Sequence, residues 1–125
     1  ASGFIGQYVH GNEPSHHVAY LYGYAGEPRK TQYYVHKICT ELYNTSSSGY
    51  AGNDDCGEMS AWLVFSAMGF YPVNPASGEY ALGTPMMDRV TVHLDGGRTF
   101  TVNAHRKDSS SFYVKSVRLD GKNTT

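Results

Sequence analysis

The 125-residue chain lacks any run of the roughly 20 apolar residues that a membrane-spanning helix needs. It also has no stripe rich in lysine and arginine. Its 10 basic and 11 acidic residues leave a net charge of −1, so a nucleic acid backbone finds no electrostatic footprint here. The opening residues, Ala1-Ser2-Gly3-Phe4-Ile5-Gly6, have neither the basic start nor the apolar stretch of a secretory signal. Cysteine is scarce. Cys39 and Cys56 match no zinc-ligand spacing and nothing compels a bridge, so both are expected to be free and buried. Tyrosine (11) and glycine (14) are abundant instead, which gives a chain about one domain long more aromatic surface than aliphatic core.

The apolar pattern changes near Pro72. Before it, apolar residues recur at helical spacing. A first helix is expected over residues 14–24, opened by Pro14, which has no N–H to leave unpaired, and stopped by Gly26. A second, over 28–43, places Tyr34, Val35, Ile38 and Leu42 on one face and Lys30, Lys37 and Glu41 on the other. A third, over 57–68, is apolar on nearly every side and closes on Gly69, which predicts an interior helix with Trp62 in the core. After Pro72 the residues alternate, predicting antiparallel strands over 79–82, 89–94, 99–103 and 111–119. Asp95-Gly96-Gly97 marks a hairpin and Asp120-Gly121 a further turn, and the broken alternation in 111–119 hints at a bulge. Together these predict an α+β chain with a helical segment (1–73) and an incomplete antiparallel β region (74–125). Three helices and these strands have more interior faces than they can mutually bury. The chain therefore reads as an excerpt of a larger protein, with exposed apolar surface and self-association as the expected consequence.

Two polar clusters carry the chemistry. Gly52-Asn53-Asp54-Asp55-Cys56-Gly57-Glu58 puts carboxylates at the entrance to the most apolar helix, joining a candidate acid or base to a rigid mount. The same residues admit a purely structural role, because Asp55 followed three residues later by Glu58 is a capping-box pattern. The second cluster is Gln7-Tyr8-Val9-His10-Gly11-Asn12-Glu13-Pro14-Ser15-His16-His17. It can be a capped turn, or a site where Asn12 and Glu13 offer hard oxygens of the kind calcium takes. His16 and His17 project about 100° apart on a helix, which argues against a paired-histidine zinc site. Asn44-Thr45-Ser46 and Asn123-Thr124-Thr125 fit the glycosylation sequon.

These two runs, with Tyr24-Ala25-Gly26, Lys30-Thr31-Gln32 and the strand residues from Gly78 to Val102, resemble in order the glycoside hydrolase family 92 sequences, calcium-dependent exo-α-mannosidases. The resemblance implies a β-sandwich before an (α/α)6 barrel, with a short β region after it. This chain would hold the last barrel helices and part of that β region. It implies an inverting enzyme acting on terminal α-mannosides of glycans, α-1,2 linkages among them. In such an enzyme an acid and a base stand roughly 6.5–9.5 Å apart.

Carried over residue by residue, Asp55 is the first candidate for the general base, and Asn53 or Asp54 for orienting the water. Some relatives have an acidic residue where this chain has Asn53, and an amide cannot take a proton. Asn12 and Glu13 are candidates for calcium contact, and Glu13 and His10 for sugar contact. The general acid belongs to a glutamate-glycine-asparagine motif that this chain does not contain, so the isolated chain is expected to be inactive. The implied partners are a mannose-containing glycan and the remainder of the parent protein, itself periplasmic, cell-surface or secreted. Against this stand a carbohydrate-binding or accessory β module and a structural fragment whose acidic loop only caps a helix.

Overall fold

A computed structural model describes residues 3–124, so the expectations that fall on Ala1, Ser2 and Thr125 lie outside the described residues. The order is two short strands, two helices joined by one turn, a third helix, and then three more hairpin-like pairs of strands. Among the described residues the four sheets are each two-stranded and antiparallel. β1 (Phe4–Ile5) and β2 (Tyr8–Val9) form a hairpin around Gly6, whose φ of +60° suits glycine.

The expected single helix over 14–24 is not continuous. It is two 3-10 turns, Glu13–Ser15 and Val18–Tyr20, followed by one α-helical turn, α1 (Leu21–Tyr24). Val18, Tyr20, Tyr22, Gly23 and Tyr24 are all modest or poor helix formers, so local propensity does not hold one pitch. α2 (Pro28–Glu41) lies where it was expected. Beyond Val35 and Ile38 it also buries Thr31 and Gln32, and Thr31 Oγ1 accepts from the backbone N–H of Gly23 at 3.0 Å.

α3 (Glu58–Met68) runs between Gly57 and Gly69, both left-handed, with φ of +101° and +104°. Its inward side, Met59, Trp62, Ser66 and Met68, is buried. The expectation of an enclosed helix is corrected by its outer flank, where Val64 is 56% exposed. Only one flank of α3 meets α2 and the preceding 3-10 turns. Trp62 is the centre of the core, ringed by His10, Tyr20, Tyr43 and Tyr71 at centroid distances of 4.4–6.3 Å. Tyr20 reaches Ser66, hydroxyl to hydroxyl, at 2.7 Å.

β3 (Phe70–Tyr71) pairs with β4 (Ala81–Leu82), and β5 (Arg89–His93) pairs over its whole length with β6 (Thr99–Asn103) across the predicted Asp95-Gly96-Gly97 turn. The expected strand over 111–119 is corrected: only β7 (Val117–Leu119) joins a ladder, with β8 (Lys122–Thr124) across Asp120 and Gly121, both at positive φ. Residues 111–116 instead form a strap across α2. The N–H of Val114 donates to Gln32 Oε1 at 3.0 Å, Phe112 stacks on His36 with centroids 4.2 Å apart, and Arg29 sits 4.2 Å over the ring of Tyr113. The apolar pattern there serves docking onto a helix rather than pairing in a sheet, and it ties the β region to the helical segment.

Neither cysteine is bonded. Cys39 is buried as expected, but Cys56 is exposed, because it sits in the loop before α3 at a φ of +58°. Among the described residues no helix is long and apolar enough to cross a membrane. Asn44 is exposed, and its Oδ1 accepts from the N–H of Ser46 at 2.9 Å.

Candidate active site

The first-turn N–H groups of a helix need acceptors, and at α3 the loop provides them without the Asp55 carboxylate. The N–H of Glu58 donates to the carbonyl of Asp55 at 3.3 Å and that of Met59 to the carbonyl of Asp54 at 3.1 Å. The N–H of Ser60 donates to Asp54 Oδ1 at 2.9 Å, and the Ser60 hydroxyl donates to the same oxygen at 2.7 Å. Since Ser60 Oγ spends its proton on Asp54, it accepts from Tyr50 Oη, 2.7 Å away. The capping-box expectation for Asp55 and Glu58 is therefore corrected, because Gly57 occupies the cap position and no side-chain bond is made from it. Asp54 does the capping.

Asp55 is left exposed, and among the described residues no hydrogen bond reaches its carboxylate. Its φ is +47° and that of Cys56 is +58°, so two successive residues with side chains sit in the left-handed region. Each such residue costs on the order of 1–3 kcal/mol, and such strain concentrates at functional sites. Asn53 is exposed beside them.

The second cluster lies against this loop. A Cβ on Gly11 would stand 2.2 Å from the carbonyl oxygen of Ala51, and one on Gly52 would stand 2.9 Å from the Cα of Gly11. Only glycines permit that approach, and it sets the turn leading to Asn12 and Glu13 beside the loop leading to Asn53, Asp54 and Asp55. Deeper in, His16 Nδ1 meets Glu58 Oε1 at 2.9 Å and His16 Nε2 donates to the carbonyl of His10 at 2.9 Å. The indole N–H of Trp62 donates to the carbonyl of His16, also at 2.9 Å.

His10 is set differently from a sugar contact. It is wholly buried, with Tyr8 Oη 2.7 Å from Nδ1 and Tyr43 Oη 2.6 Å from Nε2. Tyr43 donates to the carbonyl of Met59 at 3.2 Å, so its oxygen accepts from Nε2–H, and Nδ1 accepts from Tyr8. A neutral ring satisfies that chain of donors. Burial, aided by nearby His16, pushes the imidazole down to about 3, and burial first pushes the Tyr8 and Tyr43 phenols up, so they keep their protons. His10 is a strut between the β1–β2 hairpin and α3.

Asn12 is exposed and Glu13 half-buried, and the side chain of Asn12 does not cap the turn it precedes. Their amide and carboxylate oxygens are the donor type calcium takes, but a calcium ion gathers 6–8 oxygens. Among the described residues no three His, Cys, Asp or Glu side chains converge on one point. Sequence reasoning missed Ser60, Tyr50 and Tyr43, the partners that fix Asp54 and His10. Their spacings, six residues from Asp54 to Ser60 and 33 from His10 to Tyr43, follow no local rule.

With this geometry in place, comparison with known proteins is informative. The family described as the glycosyl hydrolase family 92 catalytic domain matches residues 1–125. A protein of Arthroderma benhamiae described as an uncharacterized secreted glycosidase is 36% identical over 118 residues, covering 92% of this chain and 15% of that protein. Among solved structures, a family GH92 α-mannosidase from Bacteroides thetaiotaomicron superposes with a TM-score of 0.93 at 43% identity, over 98% of this chain and 17% of that one. The same enzyme in complex with mannoimidazole aligns equally well, with a TM-score of 0.93. An inverting mannosidase of family GH92 from the same organism reaches 0.85 at 48% identity, over 96% of this chain and 16% of that one. The chain thus spans about one sixth of the length of these relatives.

Proposed function

The chain belongs to glycosyl hydrolase family 92, and from that premise we propose that it forms the water-activating side of the catalytic region of an inverting exo-α-mannosidase. The observation that carries this reading is the division of labour between adjacent carboxylates: Asp54 is spent on Ser60, while Asp55 stands free and exposed on a strained loop. In this reading Asp55 takes a proton from a water as its oxygen attacks the anomeric carbon on the face opposite the leaving group. Asn53 orients that water through its amide. The glycosidic oxygen leaves with a proton from an acid supplied by another part of the parent protein. Asn12 and Glu13 offer two oxygens toward calcium and the sugar, with the other ligands supplied from outside this chain. Such an ion, when bound, would hold sugar hydroxyl groups.

The parent barrel would cover the open flank of α3. Terminal α-mannosides are the proposed substrates, in keeping with the mannosidases to which the chain is similar, and the secreted fungal relative favours a secreted parent. The accessory-module alternative fits less well, because the strap over 111–116 is bonded to Gln32 and stacked on His36 of α2.

The test is hydrolysis of an α-mannobioside by the full-length protein, followed by proton NMR. Release of β-mannose as the first product, lost in Asp55→Asn, is expected. Release of the α-anomer first, no release at all, or full activity in Asp55→Asn would each overturn the assignment.

A further inference from the structure

We propose that His16, braced by Glu58, is a positioning residue that sets how the Asn12–Glu13 turn stands against the Asp54–Asp55 loop. The kinetic part of this inference rests on the mannosidase reading above. The coupling of the two loops does not.

The geometry is that of a lock. Glu13 lies three residues before His16, and Asp55 three residues before Glu58, so the His16–Glu58 contact joins two short levers, each ending in a candidate site carboxylate. The His16 side chain is buried and both ring nitrogens are engaged, Nδ1 by Glu58 and Nε2 by the carbonyl of His10. Its own carbonyl accepts from Trp62, so the residue is held to α3 twice and to the β1–β2 hairpin once. A carbonyl oxygen can only accept, so Nε2 carries a proton. The bond to Glu58 then needs a proton on Nδ1 or on the carboxyl, and with it on Nδ1 an imidazolium faces a carboxylate in a charge-assisted link.

One other directed path, from His10 Nε2–H through Tyr43 Oη to the carbonyl of Met59, ends on residue 10, upstream of the Asn12–Glu13 turn; at the turn itself the tie to the loop is non-directional. Gly11 meets Ala51 and Gly52 by close packing of backbone, and neither 3-10 turn on the Glu13 side has a side-chain cap bond. Packing of this kind sets a distance but leaves the tilt of the turn free. The directed bonds of His16 remove that freedom, and small displacements matter at such sites, where about 1 Å can cost on the order of a hundredfold in rate. A buried histidine serving stability alone would lower the melting temperature when its partner is removed, without changing turnover per folded molecule.

The experiment uses the full-length protein with Glu58→Ala and Glu58→Gln, since the Glu58 side chain is half-exposed and its loss leaves no buried cavity. Glu41→Ala, which breaks the exposed Lys37–Glu41 pair at 2.9 Å on α2, is the control for losing an ion pair elsewhere. Hydrogen exchange read by mass spectrometry should be faster in Glu58→Ala in peptides covering both residues 8–16 and 50–60, and should return toward wild type in Glu58→Gln, which keeps an acceptor for Nδ1–H. On an α-mannoside, Glu58→Ala should lose on the order of ten- to a hundredfold in kcat with KM within about threefold, again recovered by Glu58→Gln. Faster exchange confined to residues 50–60, or unchanged kcat with both loops loosened, would overturn the proposal. If the wild-type protein releases no mannose, the functional reading fails, and the two-loop exchange pattern alone then decides the coupling.

Discussion

Asp54 Oδ1 accepts from both the backbone N–H and the hydroxyl of Ser60, at 2.9 and 2.7 Å. One carboxylate oxygen thereby caps the first turn of α3 and anchors a hydroxyl that Tyr50 in turn approaches at 2.7 Å. Its neighbour Asp55 has no part in this.

The two aspartates should therefore separate in mutagenesis. Asp54→Ala removes a cap, a loss of about 1 kcal/mol, and should lower the melting temperature of the full-length protein with a partial loss of activity. Asp55→Asn should leave the melting temperature near wild type while kcat falls by on the order of 10² to 10⁴ and KM changes little. The paired melting curves and steady-state kinetics check both. A large stability loss in Asp55→Asn would return that residue to a structural role.

The two thiols should also differ. Burial pushes the Cys39 thiol up to about 12, so at pH 8 it has almost no thiolate and little access to reagent. Cys56 is exposed. Iodoacetamide on the native protein, followed by peptide mapping, should label Cys56 and spare Cys39 until denaturant is added. Equal labelling under native conditions would contradict the buried placement of Cys39 on α2.

How far the structure was legible in the sequence depends on the range of the forces involved. α2, α3 and the β5–β6 hairpin follow from local signals, namely Pro28, the flanking Gly57 and Gly69, and the Asp-Gly turn at 95–97, where backbone sterics decide nearly alone; at 120–121 the turn was expected but the short strand after it, β8, was not. The broken helix over 14–24 does not follow from such signals, because its apolar spacing is helical while its residues hold a single pitch only weakly, and neither does the strap over 111–116, which the long-range bond of Val114 to Gln32 shapes. At the candidate site, the acidic loop and the Asn12–Glu13 turn were identifiable by residue type. Which aspartate caps the helix was not, since the capping bond spans six residues and depends on a reversal of the chain at Asp55, Cys56 and Gly57, all at positive φ. His10 looked like a polar contact residue because a histidine beside glycine and asparagine reads as a loop. Tyr43, far along the chain, makes it a core residue.

The buried state of His10 implies a pH dependence. Its pKa falls from 6.5 to about 3 on folding, mainly through burial and secondarily through His16. Between those values the unfolded chain binds a proton that the folded one does not, so stability rises with pH. The contribution is fully present above about pH 6.5 and is lost as pH falls toward about 3. Urea midpoints of the full-length protein at pH 7 and pH 5 should differ by more in the wild type than in His10→Gln, by on the order of 1–2 kcal/mol. Identical shifts in the two proteins would mean that His10 is protonated in the fold.

The isolated 125-residue chain should not release mannose from α-mannosides, with or without calcium. Leaving-group protonation contributes about 10² to 10⁴ in rate, and the acid motif for it is absent from these residues. The open flank of α3, with Val64 56% exposed, should also make the isolated chain self-associate. Light scattering and a mannose-release assay on the purified chain check the two expectations. Robust calcium-dependent release would place a complete acid and base within it.

Glu13 provides the sharpest test of the calcium proposal. It is the first residue of a 3-10 turn, directly before Pro14, and the cap residue Asn12 makes no side-chain cap bond. Among the described residues the Glu13 carboxylate makes no hydrogen bond or ion pair. Glu13→Gln keeps the size and removes the hard anionic oxygen that calcium prefers. In the full-length protein, calcium affinity measured by calorimetry should then fall by about tenfold or more, since charge count tunes such sites over several decades. The melting temperature in chelator should match wild type, and the activity lost should return in part at high calcium. A calcium affinity equal to wild type, or a large drop in the chelator melting temperature, would make Glu13 a structural residue of the turn and remove it from the proposed site.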